Sequence, residues 1–124
     1  MNVVDSSGWL EYFAKGENSA FFTPAIHKIE SLIVPTISMY EVFKKITLQR
    51  GEEEALNAIA WMSTGNVVEM TQEIALAAAV LSLECKLPMA DSIILATAQA
   101  NDATLWTQDE HFKDIEGVKY IAAK

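Results

Sequence analysis

The chain alternates between short apolar runs and longer segments with helical spacing, and this pattern restricts its fold more than any other feature. Five short runs are candidate strands: Val3–Val4, Leu32–Val34, Val67–Met70, Thr104–Thr107 and Lys119–Ala122. Strands that alternate with helices imply a parallel sheet that is covered on both faces. Right-handed crossovers then follow between successive strands. We therefore predict an α/β fold.

Six helices are expected in the intervals between these runs. Capping and stop signals place them near Ser6–Gly16, Asn18–Ile29, Ser38–Arg50, Glu52–Ser63, Thr71–Cys85 and Pro88–Asn101. Ser38 and Glu41 have the Ser-x-x-Glu spacing of a capping box, and Asn18 is a suitable cap for the second helix. Pro88 suits the first position of the last helix.

The length of 124 residues predicts a single domain, residues 1–124, that is long enough to bury a core. Apolar residues make up 51 % of the chain, which leaves surface for a partner. The lone Cys85 cannot form an intrachain disulfide and suits a reducing cytosol. The longest apolar run, Ala75–Leu81, is far too short to span a membrane, and no signal segment is recognisable. We expect a cytoplasmic protein without membrane contact.

Four carboxylates that are far apart in the sequence are expected to meet at one edge of the sheet. Asp5 ends the first strand, and Asp109 follows the fourth. Glu41 and Asp91 lie in the first turns of two helices. In open parallel sheets, functional sites form beyond the carboxyl ends of the strands.

Each of these carboxylates also has a purely structural explanation. Asp5 can cap the helix that follows it. Glu41 can complete the capping box with Ser38 or pair with Lys45 one turn away. Asp109 can begin a turn, and Asp91 can favour the positive end of a helix dipole. Taken singly, the residues leave both interpretations open.

Asp91 is the carboxylate for which the structural explanation is weakest. It shares a helix face with Ile94, Leu95 and Ala98, which lie at the spacing of a buried stripe. That stripe should face the sheet, so Asp91 should lie at the end of the core. A buried carboxylate needs a partner or a cation.

Four segments of the chain together resemble the acidic motifs of PIN-domain ribonucleases, in particular the VapC toxins of toxin–antitoxin pairs. They are Val3–Ser7, Ile37–Val42, Met89–Ala98 and Leu105–Phe112. They occur in the family's order and at its usual spacing. The resemblance implies a three-layer α/β/α PIN-like fold with a parallel sheet of about five strands. It also implies Mg²⁺- or Mn²⁺-dependent endonucleolytic cleavage of RNA.

The same resemblance implies roles for individual residues. Asp5, Asp91 and Asp109 would hold the metal, and Glu41 would hold a second metal or orient the attacking water. The hydroxyls of Ser6 and Thr107 would support the acids. The family often has a further aspartate where this chain has Glu110 and His111, so the resemblance does not extend to that ligand of a second metal. We interpret His111 as a polar surface residue, with contact to the substrate as the alternative.

Metal binding would relieve an electrostatic conflict in such a site. Carboxylates that are crowded together repel one another, and without a cation some of them should hold protons. A divalent cation removes this penalty and activates water for attack at phosphorus. The formal net charge of −8 nevertheless argues against tight binding of generic RNA. Lys15, Lys44, Lys45 and Arg50 form a local basic patch or are ordinary solvated charges.

The resemblance further implies a cognate antitoxin and a homodimer. Aromatic and apolar residues are dense in the first two helices: Trp9, Leu10, Tyr12, Phe13, Phe21 and Phe22. Most should be core, and a groove beside them would accept an apolar antitoxin segment that brings a cation to the acids. Two other functions are possible: a catalytically silent PIN-like binding module, and a receiver-like Mg²⁺-binding signalling domain. The receiver needs paired acids after the first strand, where Asp5 stands alone.

Overall fold

Five strands and six helices alternate along the chain in a computed structural model that describes residues 1–124. The strands are β1 Asn2–Val4, β2 Leu32–Pro35, β3 Asn66–Val68, β4 Thr104–Thr107 and β5 Val118–Tyr120. The helices are α1 Ser6–Ala14, α2 Ser19–His27, α3 Thr36–Arg50, α4 Glu52–Met62, α5 Gln72–Cys85 and α6 Met89–Ala100. Two short 3₁₀ helices cover Ile29–Ser31 and Glu110–Phe112.

All five strands pair in parallel, in the order β3-β2-β1-β4-β5. The chain builds outward from β1 to β3 on one side, then crosses back to place β4 on the other side of β1. The order therefore reverses between β1 and β4, where a crevice opens at the carboxyl ends of the strands. Asp5 follows β1 and Asp109 follows β4, so both lie at this switch point.

The two faces of the sheet bury different side chains because successive residues of a strand point to opposite faces. On one face, Val4 and Val34 pack with Trp9, Phe22 and Met62 of α1, α2 and α4. On the other face, the core residues are Val3, Ile33, Leu105, Ile94, Leu95 and Ala98. Helix α5 adds an outer contact by packing Ile74 and Ala78 on α6. The predicted fold, a parallel sheet between helical layers, is confirmed.

Helix α3 begins earlier than its sequence signal indicated. It starts at Thr36 after Pro35, whose φ of −66° suits the entry to a helix. Ser38 therefore lies inside the helix, and its buried hydroxyl has no hydrogen-bond partner. The capping box that Ser38 and Glu41 suggested does not form, which leaves Glu41 free to bond elsewhere.

No helix of this fold combines the length and the hydropathy that crossing a membrane requires.

Truncating Leu105 should destabilise the fold strongly, because its side chain is fully buried on β4, an interior strand of the sheet. We expect Leu105→Ala to lower the free energy of unfolding by about 2–5 kcal/mol. Leu48→Ala removes the same atoms from a residue that is 82 % exposed, so it should change stability by less than about 0.5 kcal/mol. Urea unfolding followed by circular dichroism measures both. Equal effects would contradict the packing described here.

Candidate metal centre

Hydrogen bonds to both carboxylate oxygens of Asp5 hold this residue at the carboxyl end of β1. Oδ1 accepts from the Gly8 amide at 2.9 Å and from the Ser7 hydroxyl at 2.8 Å. Oδ2 accepts from the Thr107 hydroxyl at 2.6 Å. Asp5 is thus the N-cap of α1, as its structural explanation stated, and also a buried acid fixed to β4. The two interpretations are compatible.

Thr107 connects Asp5 with Asp109. Its hydroxyl donates to Asp5 and accepts the backbone N–H of Asp109 at 2.9 Å, and the residue is fully buried. A single side chain therefore sets the relative position of two acids that are more than a hundred residues apart. This geometry is consistent with the supporting role that the resemblance implied for Thr107.

Glu41 joins the site through Ser6. The Ser6 hydroxyl donates to Glu41 Oε1 at 2.6 Å, so the residue after Asp5 positions an acid on α3. Glu41 also raises the pKa of Asp91 through charge repulsion, although it is a minor cause of that shift. Glu41 lies in the second turn of α3, not in the first turn that the sequence suggested, because the helix begins earlier, at Thr36. The N-cap of α1, the second turn of α3 and the first turn of α6 thus bring three acids to one place.

Asp91 and Asp109 face each other across the imidazole of His111. Nδ1 of His111 lies 3.2 Å from Asp91 Oδ2 and 3.0 Å from Asp109 Oδ1. The Asp109 Oδ1 atom also accepts the His111 backbone N–H at 2.9 Å. The imidazole is 54 % exposed, so His111 is a surface residue, yet it bridges two of the acids. The sequence interpretation of His111 as only a surface residue was therefore incomplete.

The pKa values of these groups reflect burial and mutual repulsion. Burial raises the pKa of Asp5 to about 7, against the opposing effect of its hydrogen bonds. Burial and the charge of Asp109 raise the pKa of Asp91 to about 6. The charge of Asp109 is also the main cause that raises the pKa of His111. The cluster therefore favours additional positive charge.

The donor atoms present fit a hard divalent cation. One ligand atom each from Asp91, Asp109 and His111 lies within 4.8 Å of the others, so these atoms can surround one ion. Mg²⁺ and Mn²⁺ prefer oxygen ligands, and carboxylates are the main donors here. The raised pKa values of Asp5 and Asp91 show that negative charge in this site lacks sufficient compensation from the protein alone.

Ser7 and His111 are the contributors that sequence reasoning did not assign to the site. Ser7 bonds both oxygens of Asp5, and its signal was the Asp-Ser-Ser run after the first strand. His111 follows Asp109 by two residues in a 3₁₀ turn that folds its side chain back toward the acids. Only the conformation of that turn brings the imidazole into the cluster.

A groove of about 580 Å³ adjoins the acidic cluster. It lies between α1, α3 and α4, and its lining includes Ser7, which bonds Asp5, and Gln108, the neighbour of Asp109. Leu10 and Phe13 contribute apolar surface, whereas Trp9 and Phe22 are fully buried in the core. The aromatic and apolar side chains of the first two helices are thus divided between the core and the lining of this groove.

A family model of the PIN domain matches residues 3–118, nearly the whole chain. The chain belongs to the PIN domain family. The four acids described above lie within the matched region. No curated protein matches the chain by sequence.

Solved structures with the same PIN fold cover almost the full chain. A chain of a toxin–antitoxin complex from Klebsiella pneumoniae is 28 % identical, with a TM-score of 0.78 and 96 % of both chains covered. VapC20 from Mycobacterium tuberculosis, a Sarcin-Ricin loop cleaving toxin, is 14 % identical, with a TM-score of 0.77 and coverage of 94 % and 95 %. VapBC2 from Rickettsia felis, bound to a DNA fragment from its promoter, is 16 % identical, with a TM-score of 0.75 and coverage of 98 % and 97 %.

The metal-free PIN domain should lose stability as pH rises between about 4 and 7. The folded protein holds a proton on Asp5 that the unfolded chain has released, because the pKa rises from 3.8 to about 7 on folding. Each pKa unit corresponds to about 1.4 kcal/mol, so the decline should reach a few kcal/mol. Unfolding by urea in EDTA, measured across this pH range, tests the expectation.

Asp5→Asn should reduce this decline, because it removes the carboxylate with the larger rise in pKa and leaves the smaller contribution of Asp91. Asp102→Asn removes one carboxylate outside the site, in a left-handed conformation that asparagine tolerates, and should keep the decline of the parent. A decline of the same size in Asp5→Asn would contradict the account of buried charge.

Proposed function

We propose that this chain is a Mg²⁺- or Mn²⁺-dependent endoribonuclease and the toxin of a VapBC-type toxin–antitoxin pair. The observation that carries the proposal is the convergence of Asp5, Glu41, Asp91 and Asp109 at the switch point of a PIN fold. Membership of the PIN domain family and likeness to a chain of a toxin–antitoxin complex support it.

The acids would divide the work of the reaction between them. Asp91 and Asp109, whose ligand atoms lie within 4.8 Å of each other, would hold the cation. Asp5 lies outside that group of atoms and would assist from the position that Thr107 fixes beside Asp109. When bound, Mg²⁺ or Mn²⁺ supplies positive charge at the phosphate and lowers the pKa of water. Glu41, oriented by Ser6, would accept a hydrogen bond from the attacking water and align it with phosphorus. Thr107 and Ser7 would keep Asp5 in place through their hydrogen bonds.

Positive side chains near the groove supply the means to hold an RNA strand despite the net charge of −8. Lys45 and Arg50 lie on the helix of Glu41 and line the groove. Glu11 and Glu54 line it too, and Glu54 pairs with Arg50 at 3.5 Å. Two positive side chains provide limited affinity for phosphate, which favours recognition of a particular RNA shape over generic binding.

Cleavage should require both the cation and the acids. With a cleavable RNA substrate, we expect activity in Mg²⁺ or Mn²⁺, loss of activity in EDTA and recovery when the metal is restored. Asp5→Asn and Asp91→Asn should each lower the rate by about 100-fold or more, because a preorganised charge in the site is lost. A gel assay of end-labelled RNA measures the rates.

The matched control for these variants is Asp102→Asn, which removes the same charge at the opposite end of α6 and should cleave like the parent. Cleavage at equal rates by the parent and Asp5→Asn would identify a contaminating nuclease and refute the proposal. If the parent cleaves no RNA, the alternative function, a catalytically silent PIN-like binding module, replaces the proposed one.

The groove between α1, α3 and α4 is the proposed binding site for the antitoxin. Its apolar lining, which includes Leu10, Phe13 and Trp61, suits an apolar segment. Ser7 and Gln108, which neighbour the acids, also line the groove, so a bound segment can reach the acids. A cationic side chain of that segment would be attracted to the acidic cluster. The partner would thus block the site that the substrate needs.

Filling the groove should release this partner. Asn57 is exposed and lines the groove, so Asn57→Trp should weaken association with the small protein that co-purifies from the native host. Leu56→Trp adds the same bulk at the neighbouring position, which does not line the groove, and should retain the partner. Quantitative mass spectrometry of the purified complexes measures retention. Equal retention by both variants would place the partner elsewhere.

A second copy of the chain is the proposed occupant of an apolar stripe on α5. Leu76, Val80 and Leu83 lie on one face of that helix and are 63 %, 52 % and 82 % exposed. Such a stripe is costly to leave in water and is typical of an association surface. It supports the homodimer that the family resemblance implies.

Leu83→Glu should convert the dimer to a monomer, because it places a charge on the most exposed residue of the apolar stripe. Leu48→Glu makes the same change at a residue that is also 82 % exposed, on α3, and should leave the dimer intact. Light scattering after size-exclusion chromatography gives the mass of each. A parent that elutes as a monomer would refute the proposed dimer.

A further inference from the structure

Asn18 occupies a helix-capping position, but its side chain does not cap the helix. It precedes α2, where asparagine usually accepts a hydrogen bond from the first turn, yet no such bond forms. Its side chain is instead buried, with only 3 % of the residue exposed. A buried amide at this position has given up a stabilising cap for contacts elsewhere.

The contacts of Asn18 lead to the loop that carries Asp109. Nδ2 donates to Gln108 Oε1 at 2.9 Å and to the Ala122 carbonyl at 3.0 Å. The carbonyl can only accept, so the amide must present its NH₂ group to both partners. Asn18 thus ties the turn before α2 to the loop after β4 and to the C-terminal segment.

Asn18 is itself held in place from α1. Its backbone N–H donates to Glu11 Oε2 at 2.7 Å. The Glu11 carboxylate lies where a side chain at position 16 would stand, since a Cβ on Gly16 would overlap it. The glycine turn between α1 and α2 therefore leaves room for the acid that orients Asn18.

Gln108 lies between Thr107 and Asp109, the two site residues at the carboxyl end of β4. Thr107 precedes it and bonds Asp5, and Asp109 follows it. A restraint on the Gln108 side chain therefore limits motion of the backbone that joins Thr107 to Asp109. We propose that Asn18 is a positioning residue that fixes Asp109 for metal binding and RNA cleavage by holding Gln108. This inference rests on the proposed function for its catalytic consequence.

Hydrogen exchange of the Asp109 amide, followed by NMR in EDTA, tests the restraint directly. This amide donates to Thr107 in the intact loop. We expect Asn18→Ala and Gln108→Met each to speed its exchange about tenfold or more, while amides of β1 and α6 keep parent rates. Gln108→Met removes the same bond but leaves the buried residue Asn18 unchanged. The test can therefore still be carried out if the Asn18→Ala protein does not fold.

Metal dependence provides the second measurement. We expect both variants to raise the Mg²⁺ concentration for half-maximal cleavage about 10-fold, with the maximal rate largely recovered at saturating Mg²⁺. The double variant should add little to the effect of Asn18→Ala on the loop, because both changes remove the same Asn18–Gln108 bond and the further Asn18–Ala122 bond is lost with Asn18 alone. Asn66→Ala removes an amide that donates to the Leu32 carbonyl at 3.1 Å, at the far end of the sheet, and should match the parent in both measurements.

Parent-like exchange at Asp109 in both Asn18→Ala and Gln108→Met would overturn the inference, as would effects that add fully in the double variant. An equal shift in Asn66→Ala would also overturn it, by showing a general loss of stability. The exchange measurement needs neither metal nor RNA. It therefore decides the role of Asn18 separately from the proposed nuclease activity.

Discussion

Holding several carboxylates together with little access to water is the constraint on which this structure depends. Asp5 and Asp91 have raised pKa values because burial and neighbouring acids disfavour their charged forms. The protein offsets part of this cost with hydroxyl groups that donate to the acids, from Ser6, Ser7 and Thr107. The imidazole of His111 adds a group that can carry positive charge between two of them.

The topology explains how residues so distant in sequence form one cluster. Because β1 and β4 pair in parallel, their carboxyl ends lie side by side, at the point where the strand order reverses. Asp5 follows β1 directly and Asp109 comes two residues after β4, while the second turn of α3 supplies Glu41 and the first turn of α6 supplies Asp91. The site is therefore built on the ends of rigid elements, which keeps the acids in place despite their repulsion.

The parts of this arrangement that depend on periodic patterns were predictable from the sequence. Short apolar runs between helical segments predict the parallel sheet. Asp5 and Asp109 after strands, and Asp91 at a helix start, predict a common edge. The capping box at Ser38 was a wrong prediction of this kind, because Pro35 begins the helix earlier and Ser6 is the partner of Glu41.

Contacts that depend on the third dimension alone were not predictable. Nothing in the local sequence shows that the amide of Asn18 turns away from its helix to reach Gln108, ninety residues away. The position of His111 likewise depends on the 3₁₀ turn after Asp109. Local signals describe which groups can bond nearby, whereas these partners are set by the packing of α1 and α2 against the loop after β4.

The most direct test of the account is crystallographic. Crystals soaked in Mn²⁺ and measured at a wavelength with strong anomalous scattering from manganese will show where the ion binds. We expect one dominant peak in contact with the carboxylates of Asp91 and Asp109, next to Asp5, and its loss in Asp91→Asn crystals. A fully soaked crystal without a peak among these acids, or with its main peak at another surface, would contradict the central claim.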